Sequence, residues 1–155
     1  MNYWLFKSEP HVFSITDLKN SPKRQGFWDG VRNYQARNYL RDGVKLGDKV
    51  LFYHSSTKEP GVVGIATVVM ATTPDPTQFD PKSEFFDPKS KKENPTWFGV
   101  VVEFEQEFQT IVSLNDIKTH KVLQNMVVAK AGRLSIQPVE KKHFDLVVKL
   151  GGVQG

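Results

Sequence analysis

Apolar residues along the chain fall in short clusters whose spacing alternates between period two and period 3.6. Tyr3 to Ser8 reads as an aromatic-rich strand, ended by Glu9-Pro10 because proline cannot continue a central ladder. Ser14-Ile15-Thr16-Asp17-Leu18-Lys19 predicts a short helix capped by Ser14, with Asp17 as its capping-box acid. Ser21 to Gly30 reads as a loop carrying Lys23, Arg24 and Trp28. A second helix is predicted from Asn33 to Asp42, stopped by Gly43. Its Ala36, Tyr39 and Leu40 can face a core, while Asn33, Arg37 and Arg41 form a polar, basic stripe.

Lys49 to His54 and the β-branched run Val62 to Thr73 are strands, with Gly64 inside the second as a site for a bulge. Phe98, Val100, Val102 and Phe104 alternate with Trp97, Gly99, Val101 and Glu103, the clearest period-two segment. Ser113 to His120 predicts a short helical turn. A last helix is expected from about Pro138 to Leu150, stopped by Gly151-Gly152, with Val139, His143, Leu146, Val147 and Leu150 as its apolar stripe. Between the long strands, Pro74 to Pro95 holds five of the nine prolines. It contains Phe-Asp-Pro-Lys-Ser twice, at residues 79–83 and 86–90, each an Asp-Pro turn. Phe79, Phe85 and Phe86 argue that this loop packs down rather than staying disordered. Short curved strands with small helices between them make an α+β fold, read as a partly closed barrel.

The 155 residues suit one domain, and no apolar run approaches the roughly 18 residues of a membrane span. The chain has no cysteine, which removes disulfides, zinc–thiolate sites and thiol nucleophiles together. The first residues lack the pattern of a signal peptide, so a cytoplasmic location is expected. Net charge is +4, but it is unevenly spread. Residues 1–50 carry 9 basic and 5 acidic groups, residues 51–110 carry 5 and 9, and residues 111–155 carry 7 and 3. If the two basic ends meet in space, they make a face suited to a polyanion; otherwise they are solubility charge.

His11, His54, His120 and His143 show no metal-ligand spacing, and neither a metal nor another cofactor is expected. His54-Ser55-Ser56 supplies residue types for nucleophilic catalysis, but neighbours in a strand point to opposite faces, so no catalytic residue is expected. Base binding has more support, because it needs aromatic faces, edge-reading amides and cations. Trp28 lies in the Gly-flanked loop Gly26-Phe27-Trp28-Asp29-Gly30, beside Arg32-Asn33, and Trp97 stands off the Phe/Val stripe. Taken singly, each tryptophan is better explained by packing. Arg32, Arg37 and Arg41 are either solvated surface or a phosphate rail at the mouth of the Trp28 loop. Asn33 is either an edge reader, since an amide both donates and accepts, or the N-cap of the helix it opens.

Longer motifs narrow the choice. They are Tyr3-Trp4-Leu5-Phe6-Lys7-Ser8-Glu9-Pro10, Trp28-Asp29-Gly30-Val31-Arg32-Asn33-Tyr34-Gln35-Ala36-Arg37, Phe52-Tyr53-His54-Ser55, Gly61-Val62-Val63-Gly64-Ile65-Ala66, the Asp-Pro-Lys-Ser turns, Trp97, and Arg133-Leu134-Ser135-Ile136-Gln137-Pro138-Val139. Together they resemble the EVE domain family, including the thymocyte nuclear protein family, within the PUA-like superfamily. The resemblance covers essentially the whole chain, residues 1–155. It implies a PUA-like small mixed β-barrel with peripheral helices, related to the YTH and SRA readers and the ASCH and PUA RNA-binding domains. It also implies a non-catalytic module that takes a modified base of DNA or RNA into an aromatic-lined pocket, with no membrane partner. By motif, the pocket residues would be Lys7, Ser8, Trp28, Val31, Asn33, Tyr53, Ser55 and Trp97, and the phosphate or wall residues Arg32, Arg37 and Arg133. The alternative is a nucleotide- or nucleobase-binding protein, or an enzyme, using the same pocket.

Overall fold

The computed structural model describes residues 1–130 and 132–152. Its centre is a six-stranded mixed sheet of order β2-β5-β4-β3-β1-β6. The strands are β1 (Tyr3–Ser8), β2 (Gln25–Phe27), β3 (Lys49–His54), β4 (Gly61–Pro74), β5 (Phe98–Ser113) and β6 (Ile136–Val139). Only β1 and β3 run parallel; every other pairing is antiparallel. Four register shifts interrupt the β4–β5 ladder, one of them between Val62 and Gly64, and bulges of this kind bend a sheet. The expected barrel is therefore an open one: β2 and β6 end the sheet without pairing to each other.

The central strands are apolar on both faces, as a sheet covered on both sides must be. Trp4, Phe6, Val50 and Phe52 join one core with Ile15 and Leu18 of α1 (Ile15–Asn20) and Ala36 of α2 (Tyr34–Asn38). Leu5, Leu51 and Tyr53 point the other way, into a second core with Ile117 of α3 (Leu114–Thr119) and Phe144 and Val147 of α4 (Lys141–Gly151).

Ser14 and Asp17 form the expected capping box of α1, and Ser113 with Asp116 forms another on α3. The second predicted helix is α2 followed by a π-helical turn, Tyr39–Gly43. Two boundaries differ from expectation. The segment read as a loop contains a 3₁₀ turn, Pro22–Arg24, and the edge strand β2. The last helix begins at Lys141 rather than Pro138, because Pro138 pairs opposite Trp4 in edge strand β6, a place where a missing N–H is tolerated. On α4 Phe144 is buried and Leu150 is exposed, so the stripe is displaced from the predicted one. Gly152 ends the helix with φ +77°. No described helix is long and apolar enough to cross a membrane.

Residues 74–95 pack down as expected. Buried Gln78 donates through Nε2 to the carbonyls of Asp75 and Trp97, and its Oε1 accepts from Ser90 Oγ and from the Thr96 and Trp97 amides. The two repeats form matching turns: Asp80 Oδ1 accepts from the Lys82 amide and Asp87 Oδ1 from the Lys89 amide, both at 2.9 Å.

Candidate functional site

A cavity of about 710 Å³ opens on the Trp28 side of the sheet. Such a volume falls within the roughly 300–1,000 Å³ of small-molecule sites. Its walls are the end of β1 with the turn after it, the loop from Gly26 to Asn33, Glu84 and Phe85 from the long loop, and Ser135 before β6. Trp28 forms the deep wall at 7% exposure, edge-on to Phe52 with ring centroids 5.3 Å apart and tilted against Phe6 at the same distance. The close approach of this loop to β5 depends on Gly99, where a Cβ would meet the Trp28 carbonyl at 2.3 Å. Gly30, at φ +74°, presses against the Phe85 ring, where a Cβ would lie 2.7 Å away.

Arg32 ties the two loops together. It donates to the Phe85 carbonyl through Nε and Nη2, to Thr77 Oγ1 through Nη2, and to Asp75 Oδ2 and the Val31 carbonyl through Nη1. Its guanidinium lies 5.1 Å from the Trp97 ring. Burial alone would raise the Asp75 carboxyl, but hydrogen bonds from Thr77, Gly30 and Arg32 outweigh it and hold the group below the usual range. Asp29 shows the reverse: burial and the nearby Asp75 charge push its carboxyl up.

The structure brings Lys7, Ser8, Trp28, Val31, Arg32 and Asn33 to this one cavity. Three expected pocket residues do not line it. Tyr53 is on the far face of the sheet, one residue out of phase with Phe52, and joins the second core. Ser55 lies past the end of β3, its amide bonded to the Ser8 carbonyl. Trp97 stacks on Tyr34 with centroids 5.0 Å apart and donates its indole N–H to Asp87, bracing the long loop behind Arg32. Alternation also separates Lys7 from Ser8. The Lys7 ammonium sits 5.5 Å from the Tyr53 ring and donates to the Gly132 carbonyl, and burial lowers its pKa. Ser8 Oγ donates to the Phe13 carbonyl.

Asn33 is an N-cap, its Oδ1 accepting from the Ala36 amide at 2.9 Å. Of the expected rail, Arg32 has its donors committed inside the protein, Arg37 donates to the Thr96 carbonyl and Asn38, and Arg41 pairs with Asp42. Arg133 is exposed beside Ser135, with no partner among the described residues. Sequence reasoning passed over Asp29 and the walls Phe13 and Phe85. The signal for Asp29 was its place in the same Gly-flanked loop as Trp28. Nothing local marked Phe85, which reaches the cavity only through tertiary contacts.

A family model for the EVE domain matches residues 2–150. The chain belongs to the EVE domain family. It is 46% identical to thymocyte nuclear protein 1 of Gallus gallus, over 96% of this chain and 68% of that protein. Among solved structures, this EVE domain resembles the human THYN1 protein in complex with 5-methylcytosine-containing DNA. Identity is 43%, the TM-score 0.91, and the match covers 100% of each chain. It resembles a hypothetical protein from Leishmania major at the same TM-score, with 46% identity over 97% of this chain and 94% of that one.

Proposed function

We propose that this EVE domain acts as a single non-catalytic module that binds DNA and takes a modified base, of the 5-methylcytosine type, into the cavity beside Trp28. The observation that carries the reading is the human relative bound to 5-methylcytosine-containing DNA, which matches this chain from end to end. The cavity supports it chemically. Trp28, Phe13 and Phe85 offer aromatic surface to a base, and stacking contributes roughly 1–3 kcal/mol per base. A base must leave its duplex to enter such a site, at a cost of a few kcal/mol that stacking can offset.

The test is a fluorescence titration with duplexes that differ only in one 5-methylcytosine or cytosine. Trp28→Ala is a poor probe, since removing a core tryptophan costs roughly 3–5 kcal/mol of stability. Trp28→Phe keeps most of the packing against Phe6 and Phe52. The expected result is tighter binding of the methylated duplex by the wild-type chain. Trp28→Phe should weaken that binding about tenfold while its melting temperature stays near wild type. Equal affinity for the two duplexes would sink the reading.

A further inference from the structure

Several polar groups at the cavity have no side-chain partner among the described residues. They include the indole N–H of Trp28, the Nδ2 amide of Asn33, the Ser135 hydroxyl and the carboxylates of Asp29 and Glu84, of which Asp29 is bonded only by its own backbone amide. The contrast among the tryptophans is sharp. Trp4 donates its N–H to Asp48 and Trp97 donates to Asp87, each within 2.9 Å, yet Trp28, equally buried, donates to nothing described. Other polar groups around the cavity are already committed: Ser8 to Phe13, Lys7 to Gly132, the Gly30 amide to Asp75, and Arg32 to the long loop. Of the two carboxylates left for a ligand, Asp29 is the one in the same short loop as two donors, Trp28 and Asn33.

That set matches one base edge and opposes another. Cytosine presents an exocyclic amine, a donor, next to ring acceptors, whereas thymine presents a carbonyl at the same position. Resting on the base-reader assignment above, we propose that Asp29 is the specificity-determining residue of this site. Its carboxylate accepts a hydrogen bond from the exocyclic amine of a cytosine-type base, while the Trp28 N–H donates to an acceptor on the same ring. 5-Methylcytosine and thymine carry the same methyl group and nearly the same shape, so apolar packing cannot tell them apart. A carboxylate can, because facing a carbonyl leaves two acceptors opposed and neither satisfied. The surroundings of Asp29 favour such a donor. Burial and the Asp75 charge outweigh the help its anion receives from its own backbone amide and from Arg32, and an amine proton adds to that help.

The experiment titrates the chain with three duplexes carrying cytosine, 5-methylcytosine or thymine at one position. The target faces an abasic site in each, so that extrusion costs are alike. The wild-type chain should prefer 5-methylcytosine over thymine by about tenfold or more, the discrimination expected of one good edge contact. Asp29→Asn, whose amide can donate to the thymine carbonyl, should bring that ratio to within about twofold. Asp29→Ala should weaken 5-methylcytosine binding without improving thymine. Both variants should melt near the wild-type temperature, since Asp29 has no side-chain hydrogen bond to lose. A wild-type preference that persists unchanged in both variants overturns the role of Asp29. A wild-type chain that binds 5-methylcytosine and thymine alike overturns it as well. A chain that binds 5-methylcytosine no better than cytosine overturns the modified-base reading instead, and the thymine ratio in that same experiment still decides Asp29.

Discussion

Asp75 is wholly buried and accepts hydrogen bonds from Gly30, Arg32 and Thr77, whereas Asp29, in the same neighbourhood, accepts none from a side chain. One carboxylate holds the site together and the other is left for a ligand. Their replacement should separate accordingly. Asp75→Ala strands the Arg32 guanidinium and the Gly30 and Thr77 donors, and should cost about 3 kcal/mol in a urea melt. The linkage has a definite sign. Because the folded state holds Asp75 below its ordinary value, its contribution is complete above the unfolded pKa of about 3.9. It is lost as pH falls from there through the lower folded value. Wild-type stability should therefore fall below about pH 4, and Asp75→Ala should flatten that part of the profile. A profile identical in both proteins would show that Asp75 is not responsible.

Elements whose signals are local were legible in the sequence, and those held by distant partners were not. The end of β1 at Ser8, the capped start of α1 and the span of β3 follow from proline, capping and alternation within a few residues. The start of α4 was misplaced because Pro138 suits a first helical turn locally, while its actual place is set by pairing with Trp4, over a hundred residues away. The site divides along the same line. Trp28, Arg32 and Asn33 could be read as one loop, but Tyr53 was lost to a one-residue phase that only the sheet fixes. Within the long loop, the Asp-Pro turns were visible, yet its anchor Gln78 was not, since a glutamine carries no sequence signal of being a hub. Gln78→Ala should free residues 76–96 from β5, with amide exchange there rising far more than in β1 or β3. It should also weaken base binding, because Phe85 and Glu84 would no longer hold the cavity wall. Unchanged exchange in that segment would mean the turns hold themselves.

Across the whole molecule, the two basic ends of the chain do meet: β1, from the first third, pairs with β6, from the last. The acidic middle third supplies Glu103, Glu105 and Glu107 along β5, on the other side of the sheet order. The meeting of the ends does not make the cavity basic, because its walls carry Lys7 and Arg32 against Glu9, Asp29 and Glu84, and the expected arginine rail is already engaged. Arg41 is paired with Asp42, and Arg32 and Arg37 brace the loops, so none of them is a ready phosphate contact. Arg133 is an exposed cation two residues before the cavity wall Ser135, in the turn that also offers the Gly132 carbonyl to Lys7. Each phosphate contact adds about 0.9 to the slope of log affinity against log salt on duplex DNA. Arg133→Ala should therefore weaken binding to methylated and unmethylated duplexes equally and reduce that slope by about one. Arg41→Ala should leave the slope as it was, because the arginine it removes is already neutralised. Trp28→Phe should change affinity for the methylated duplex at every salt concentration by the same factor, leaving the slope intact. Parallel salt titrations of the three variants thus divide the binding into its phosphate and base components. A slope that falls with Arg41→Ala and not with Arg133→Ala would place the DNA backbone along the α2 side of the cavity instead.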